Sequence, residues 1–200
     1  MRKVVVTENI SWDGVMQAPA MPEEDTRGGF TRGGWANAYV DQDMIDYMTS
    51  GGDQEGCLLL GRLTYQTMAA NWPHMPADNP FTERINAMPK YVASTTLAGP
   101  LDWNASLLEG DIGDAVRAVK ATDGGNLTVL GSGVLVQSLR AHDLVDEYVL
   151  SIHPLLLGSG SRLFPDGNTA TLKLIDSTTT STGVIIARLR STASAPETAS

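Results

Sequence analysis

The amino-acid sequence predicts an α/β protein whose central sheet is mostly parallel and is closed by an antiparallel C-terminal edge strand. Short apolar runs alternate with helix-length amphipathic stretches over most of the chain. Two of those runs end in glycine directly before a helical pattern, at Leu60-Gly61 and at Leu130-Gly131-Ser132-Gly133. The segments Leu172–Asp176 and Val184–Arg190 instead suit a hairpin. Strand and helix in alternation favour parallel crossover units over a bundle or a sandwich.

Lys3 to Ile10 is the first strand, broken by the turn residues Ser11-Trp12-Asp13-Gly14. A Pro/Gly-rich stretch from Ala18 to Trp35 follows; so long a loop in a compact domain is a candidate cover for a site, or a plain insertion. Asn37 to Thr49 suits a helix with Val40, Met44, Tyr47 and Met48 on its core face, ended by Gly51-Gly52. At about 100° per residue, Asp41 and Asp43 flank that face. Gly56 to Leu60 is a buried strand, Arg62 to Ala70 a helix, and Lys90 to Ser94 another strand. Asp111 caps a helix with Ile112, Ala115, Val116 and Val119 on one side, ended by Gly124-Gly125. Leu127–Leu130 leads through the glycine turn into a helix to Arg140, and Val145 to Ile152 is a central strand. Residues 1–190 form one domain; the Ser/Thr/Ala-rich stretch 191–200 is expected to be a disordered tail.

Hydrophobic residues at 42% and charged residues at 18% fit a folded globular domain rather than a disordered or membrane-embedded chain. No run approaches the roughly 18 apolar residues of a membrane span. A formal net charge of −9 argues against nucleic acid or anionic lipid as partners, which are held by clustered Lys and Arg. One cysteine, Cys57, excludes an internal disulfide, and with no export signal the expected location is the cytoplasm. No His/Cys cluster has metal-ligand spacing, so no metal is expected.

Strand, Gly131-Ser132-Gly133, helix is the strongest chemical feature. Glycines let backbone approach a pyrophosphate, and a helix amino end offers N–H donors to it. The third glycine of a full dinucleotide fingerprint is absent, and a plain tight turn is the alternative. Gly61-Arg62-Leu63-Thr64 repeats the logic with a guanidinium able to grip a phosphate, unless Arg62 pairs with a surface carboxylate and Thr64 merely caps. Ser94-Thr95 places two hydroxyls at a third strand end.

The order of Ser11-Trp12-Asp13-Gly14, Leu60-Gly61-Arg62-Leu63-Thr64-Tyr65, Lys90–Ser94, Val129–Gly133, Asp143–Glu147 and His153–Phe164 resembles the dihydrofolate reductase superfamily, and within it the branch of the riboflavin-biosynthesis reductase C-terminal domain. The resemblance implies a three-layer fold binding NADPH, with NADH the lesser alternative, at the strand ends. The phosphates would lie over Gly131, Ser132, Gly133, Val134 and Leu135, and Gly61, Arg62, Thr64, Ser94 and Thr95 would lie near the adenosine phosphates. The nicotinamide would face the first strand and the long loop. Val134 stands where dihydrofolate reductases commonly carry arginine, which removes one phosphate contact. Asp13 matches an aspartate beside the substrate of riboflavin-pathway relatives, so it is the first candidate for a polar anchor or proton relay, an ordinary Asp-Gly turn being the alternative. Asp41 and Asp43 compete for the place of the carboxylate that orients a pteridine, which argues against folate as the substrate.

The expected activity is hydride transfer from the nicotinamide to a C=N or C=O carbon of a small planar polar molecule. A non-catalytic NADPH sensor is the alternative, since fold alone does not fix function. A homodimer is expected from the family and from the open edge of the C-terminal hairpin.

Overall fold

The computed structural model describes residues 1–50, 56–167 and 169–192. One sheet contains β1 Val4–Ser11, β2 Cys57–Gly61, β3 Lys90–Ala93, β4 Ala105–Leu108, β5 Leu127–Leu130, β6 Glu147–His153, β7 Leu172–Thr179 and β8 Ile185–Ser191. Their order in space is β4-β3-β2-β5-β1-β6-β8-β7. Pairing is parallel from β4 to β6 and antiparallel where β8 joins β6 and β7. The helices are α1 Gln42–Ser50, α2 Arg62–Asn71, α3 Thr82–Ala87, α4 Ile112–Lys120 and α5 Gly133–Ala141. None of them is long and apolar enough to cross a membrane.

Side chains alternate across a strand, so each sheet face collects every second residue. Val4, Val6 and Ile10 of β1 and Cys57 and Leu59 of β2 pack with Val116 of α4 and Leu135, Val136 and Leu139 of α5. Removing such a side chain from water contributes about 1.5–3 kcal/mol. The other face is covered in two separate places. Leu58 and Leu60 of β2 pack with Tyr65 of α2, while Val184 and Ile186 pack with Met44 of α1. Between those clusters lies the middle of the sheet, and there Val5, Thr7 and Asn9 of β1 and Thr128 and Leu130 of β5 are only partly buried. The middle of this face is therefore less covered than its two ends.

The expected parallel sheet with its antiparallel edge is present, and several element boundaries shift. The helix expected from Asn37 starts at Gln42, because Asp41 caps it by accepting the Met44 N–H at 2.9 Å. Asn37–Tyr39 is a separate 3-10 turn, and Val40, expected on the core face, is 51% exposed. β4 and α3 are additions to the elements expected from the sequence; each is short and without clear periodicity. Asp111 caps α4 as expected, accepting the Asp114 N–H at 3.1 Å. Ser191 belongs to β8, while the rest of the expected tail from 193 onward and the Gly51-Gly52 stop lie outside the described residues.

Glu147, 1% exposed at the start of β6, ties three strands together. Its Oε1 accepts from Lys3 Nζ at 2.7 Å, and its Oε2 from Arg188 of β8 at 2.7 Å. Burial alone would raise this carboxyl, but the bonds from Lys3 and Arg188 outweigh it and hold the group below its ordinary value of 4.5. A depressed carboxylate stabilises the fold above its unfolded value, and that stability is lost as pH falls through the folded value. Glu147→Gln is expected to cost about 1–3 kcal/mol at neutral pH and to flatten the decline in melting temperature below pH 4.5; thermal melts across acid pH check both.

Candidate functional site

Because β1, β2, β3, β5 and β6 are parallel, their carboxyl ends share one edge of the sheet, where α/β folds place ligands. Two glycine turns meet there through one hydroxyl. The Gly61 N–H donates to Ser132 Oγ at 2.8 Å, and Ser132 Oγ donates to Thr64 Oγ1 at 2.7 Å. A Cβ on Gly61 would lie 2.9 Å from Ser132 Oγ, and one on Gly133 would lie 2.9 Å from Met16 Sδ, so a side chain at either position would have to displace a neighbour. Ser132 has left-handed φ of 67°, a conformation uncommon outside glycine.

Having spent its hydroxyl on Thr64, Ser132 makes no side-chain cap to α5. Val136 N–H donates to Ser132 O at 3.0 Å as the first bond of the helix. The N–H groups of Gly133, Val134 and Leu135 therefore precede the helical ladder and have no acceptor within it. Val134 is 79% exposed, whereas the Leu135 side chain is core, so Leu135 has only backbone to offer a ligand. Arg62 opens α2 and donates to Gln66 Oε1 at 3.1 Å. Among the described residues it makes no ion pair, so the carboxylate partner weighed for it is not there. Ser94 Oγ accepts from the Thr96 and Leu97 N–H groups, forming a turn at the end of β3 with Thr95 exposed on it.

Asp13 stands at the same edge as an acceptor. Ser11 Oγ donates to Oδ1 at 2.6 Å, and the Leu157 and Gly158 N–H groups donate at 3.1 and 2.7 Å. The Ser11 bond, more than the backbone bonds, lowers its pKa to about 2 against a smaller opposing effect of burial. At neutral pH this carboxylate has no proton to give and anchors the segment after β6. Asp41 and Asp43 lie elsewhere: Asp41 accepts from the Thr182 N–H and hydroxyl, and Asp43 from those of Ser181. Both carboxylates pin the β7–β8 turn to α1 and are not brought together with Asp13.

The loop Ala18–Trp35 is internally packed. Phe30 and Trp35 join Val15, Ala18 and Leu157 in a small core, and Trp35 Nε1 donates to Gln17 O at 2.8 Å. The edge of Trp35 meets His153 with ring centroids 5.1 Å apart. His153, at the end of β6, is fully buried, and its Nε2 lies 2.9 Å from Asn9 Oδ1. Its Nδ1 has no partner among the described residues, and neither has Oε1 of Glu8, 5% exposed in the middle of β1. From the sequence, Thr7, Glu8 and Asn9 are expected only as parts of the first strand. One signal was available: a glutamate inside the valine-rich strand Val4-Val5-Val6-Thr7-Glu8.

The mostly parallel sheet with its antiparallel edge has the dihydrofolate reductase-like fold. Residues 2–186 match the RibD C-terminal domain model, and the chain belongs to that family. It is similar to the uncharacterized protein YyaP of Bacillus subtilis (strain 168), 29% identical over 157 residues covering 76% of this chain and 80% of YyaP. Among solved structures it resembles a pyrimidine reductase-like protein of Corynebacterium diphtheriae, with a TM-score of 0.64, 13% identity and coverage of 96% and 93% of the two chains. It also resembles dihydrofolate reductase of Enterococcus faecalis complexed with NADP(H), with a TM-score of 0.58, 11% identity and coverage of 94% and 96%. A riboflavin biosynthesis-like protein of Shewanella sp. PV-4 has a TM-score of 0.68 at 22% identity, covering 96% of this chain and 99% of that one.

Burial lowers His153 from its ordinary 6.5 to about 4. Between those values the unfolded chain binds the proton first, so stability falls as pH is lowered from 6.5 and levels off, for this group, below 4. The loss amounts to about 3 kcal/mol. His153→Gln is expected to remove it, as read from denaturant melts between pH 7 and 4.

Proposed function

We propose that the chain is an NADPH-dependent reductase of a small planar polar substrate such as a pterin or an aminopyrimidine. The observation that carries this reading is the junction of Gly61, Thr64 and Ser132 at the amino end of α5, with Arg62, which makes no ion pair among the described residues, opening α2 directly after Gly61. Three backbone N–H groups, a guanidinium and glycines that admit close approach suit a diphosphate. The solved dihydrofolate reductase relative, complexed with NADP(H), supports the choice of ligand.

The dinucleotide supplies the hydride, and the chain supplies position and shielding. Residues 133–135 and Arg62 hold phosphates, with Ser94 and Thr95 beside them. Asp13 fixes the strand end against the Leu157-Gly158 segment. The half-open floor of Val5, Thr7, Asn9 and Leu130 is where a flat substrate would lie, and the packed 18–35 loop excludes water from one end.

Titration with NADPH and separately NADH, followed by nicotinamide fluorescence and thermal shift, tests the cofactor site. A ligand at 100 times its Kd stabilises the fold by about 2.7 kcal/mol. Arg62→Ala is expected to weaken NADPH binding at least tenfold; failure of the wild type to bind either nucleotide overturns the reading. NADPH oxidation with a pterin or aminopyrimidine acceptor distinguishes a reductase from a silent sensor.

A homodimer across β7 belongs to the same proposal. This edge strand is exposed along most of its length, with Leu174 at 54% and Ile175 at 39%. Light scattering is expected to give twice the 21.3 kDa chain mass, and Leu174→Lys to return it to the monomer.

A further inference from the structure

Asn9 stands on the Val5 and Thr7 face of β1, the face whose middle is partly uncovered, and is itself only partly buried. His153 of β6 is in register with Ser11, two residues beyond Asn9, and so shares that face. Its Nε2 lies 2.9 Å from Asn9 Oδ1. Burial keeps the imidazole neutral, and a neutral imidazole has one donor and one acceptor nitrogen. An oxygen facing Nε2 requires the N–H to be there, so Nε2 donates to Oδ1. Nδ1, enclosed without a partner among the described residues, keeps only a lone pair. Trp35 and Tyr39 pack T-shaped against the ring with centroids 5.1 and 5.4 Å away, which fixes its orientation.

The result is an amide of fixed polarity. With Oδ1 spent on His153, Asn9 has only its two Nδ2 donors to offer. Nδ2 is bonded to no described residue and is not among the enclosed atoms, so it is open over the strand. Carboxylates that could accept from a ligand amino group are occupied. Asp41 and Asp43 hold the β7–β8 turn, Asp13 holds the 157–158 backbone, and Glu147, on the same face as Asn9, is enclosed with Lys3 and Arg188.

We infer that Asn9 reads the substrate by donating its side-chain N–H groups to a ring carbonyl oxygen, with His153 as the positioning residue that keeps the amide turned donor-outward. This rests on the proposed reductase function, in which a flat substrate lies over Val5, Thr7, Asn9 and Leu130. The substrate class narrows to heterocycles that present an oxo group to β1. An amino group in the same place brings donor against donor and leaves both unpaired, and a site built to hydrogen-bond one group rejects the analogue that lacks it.

Calorimetric titration of the full chain, with NADP+ present because it has no hydride to give, compares pterin with the diamino analogue in which an amino group replaces the ring oxo group. The corresponding aminopyrimidinone and diaminopyrimidine are run in parallel. Wild type is expected to prefer the oxo compound at least about tenfold, and Asn9→Ala to shrink that preference to within about threefold by losing oxo-compound affinity. NADPH affinity, measured alongside, separates this carbonyl from the nicotinamide carboxamide and is expected to change by less than about threefold in Asn9→Ala. His153→Gln, whose amide can still donate to Asn9 Oδ1, is expected to keep the preference, and His153→Phe to lose it. Should the variants fail to fold, the Asn9 side-chain amide protons of wild type serve instead, moving downfield with the oxo compound and not with its diamino analogue. Absence of the preference in wild type, its survival in Asn9→Ala or His153→Phe, loss of NADPH affinity in its place, or an unmoved amide resonance overturns the inference while leaving the reductase reading standing. Binding of none of the four compounds to wild type overturns the proposed substrate and the inference with it.

Discussion

The constraint on which this structure depends is that β1 must be paired on both sides and yet leave its carboxyl end open. On the α4/α5 side Val4, Val6 and Ile10 satisfy the first requirement by joining the main core. The second is met because β5 stops at Leu130 while β1 continues alongside β6 as far as Ser11. Beyond that point come a left-handed Gly131 and Ser132 and a helix whose first three N–H groups have no acceptor within it. The Ser132 hydroxyl joins this turn to the end of β2, so the two glycine turns cannot drift independently.

Charge is managed around that open end by giving each ionisable group a different environment. Asp13 receives three donors and stays ionised, Glu8 receives none on Oε1 among the described residues and is driven toward neutrality, and His153 is buried as the uncharged base. For stability the last two act in opposite directions. A buried histidine with a lowered pKa penalises acid, while a buried glutamic acid with a raised pKa penalises alkali. Each penalty starts at the group's unfolded value, so the histidine's cost grows as pH falls below 6.5 and the glutamic acid's as pH rises above 4.5.

Much of the scaffold was legible because its signals are local. The cap at Asp111, the glycines after β2 and β5 and the alternation of Ile185, Ala187 and Leu189 each follow from the few residues around them. β4 and α3 were not legible, being one or two turns' worth of chain held by neighbours distant in sequence. At the site, the glycine turns were visible, but the uses of the carboxylates were not. Asp41 and Asp43 looked suited to hold a substrate because they flank the apolar stripe of a helix, yet a turn at Ser181 and Thr182, far along the chain, claims both. For Asp13 the sequence shows only a turn after the first strand, and tertiary contact with Leu157 and Gly158 shows two of the three donors it accepts.

The position of β1 also carries a cost in time. β1 finds its sheet partners only at Leu127 and Glu147, more than a hundred residues later in the chain. At roughly 5–20 residues per second, translation from Val4 to Glu147 takes on the order of ten seconds. Throughout that interval the Val4-Val5-Val6 segment is an unpaired apolar strand, the kind of sequence that nascent-chain chaperones exist to shield.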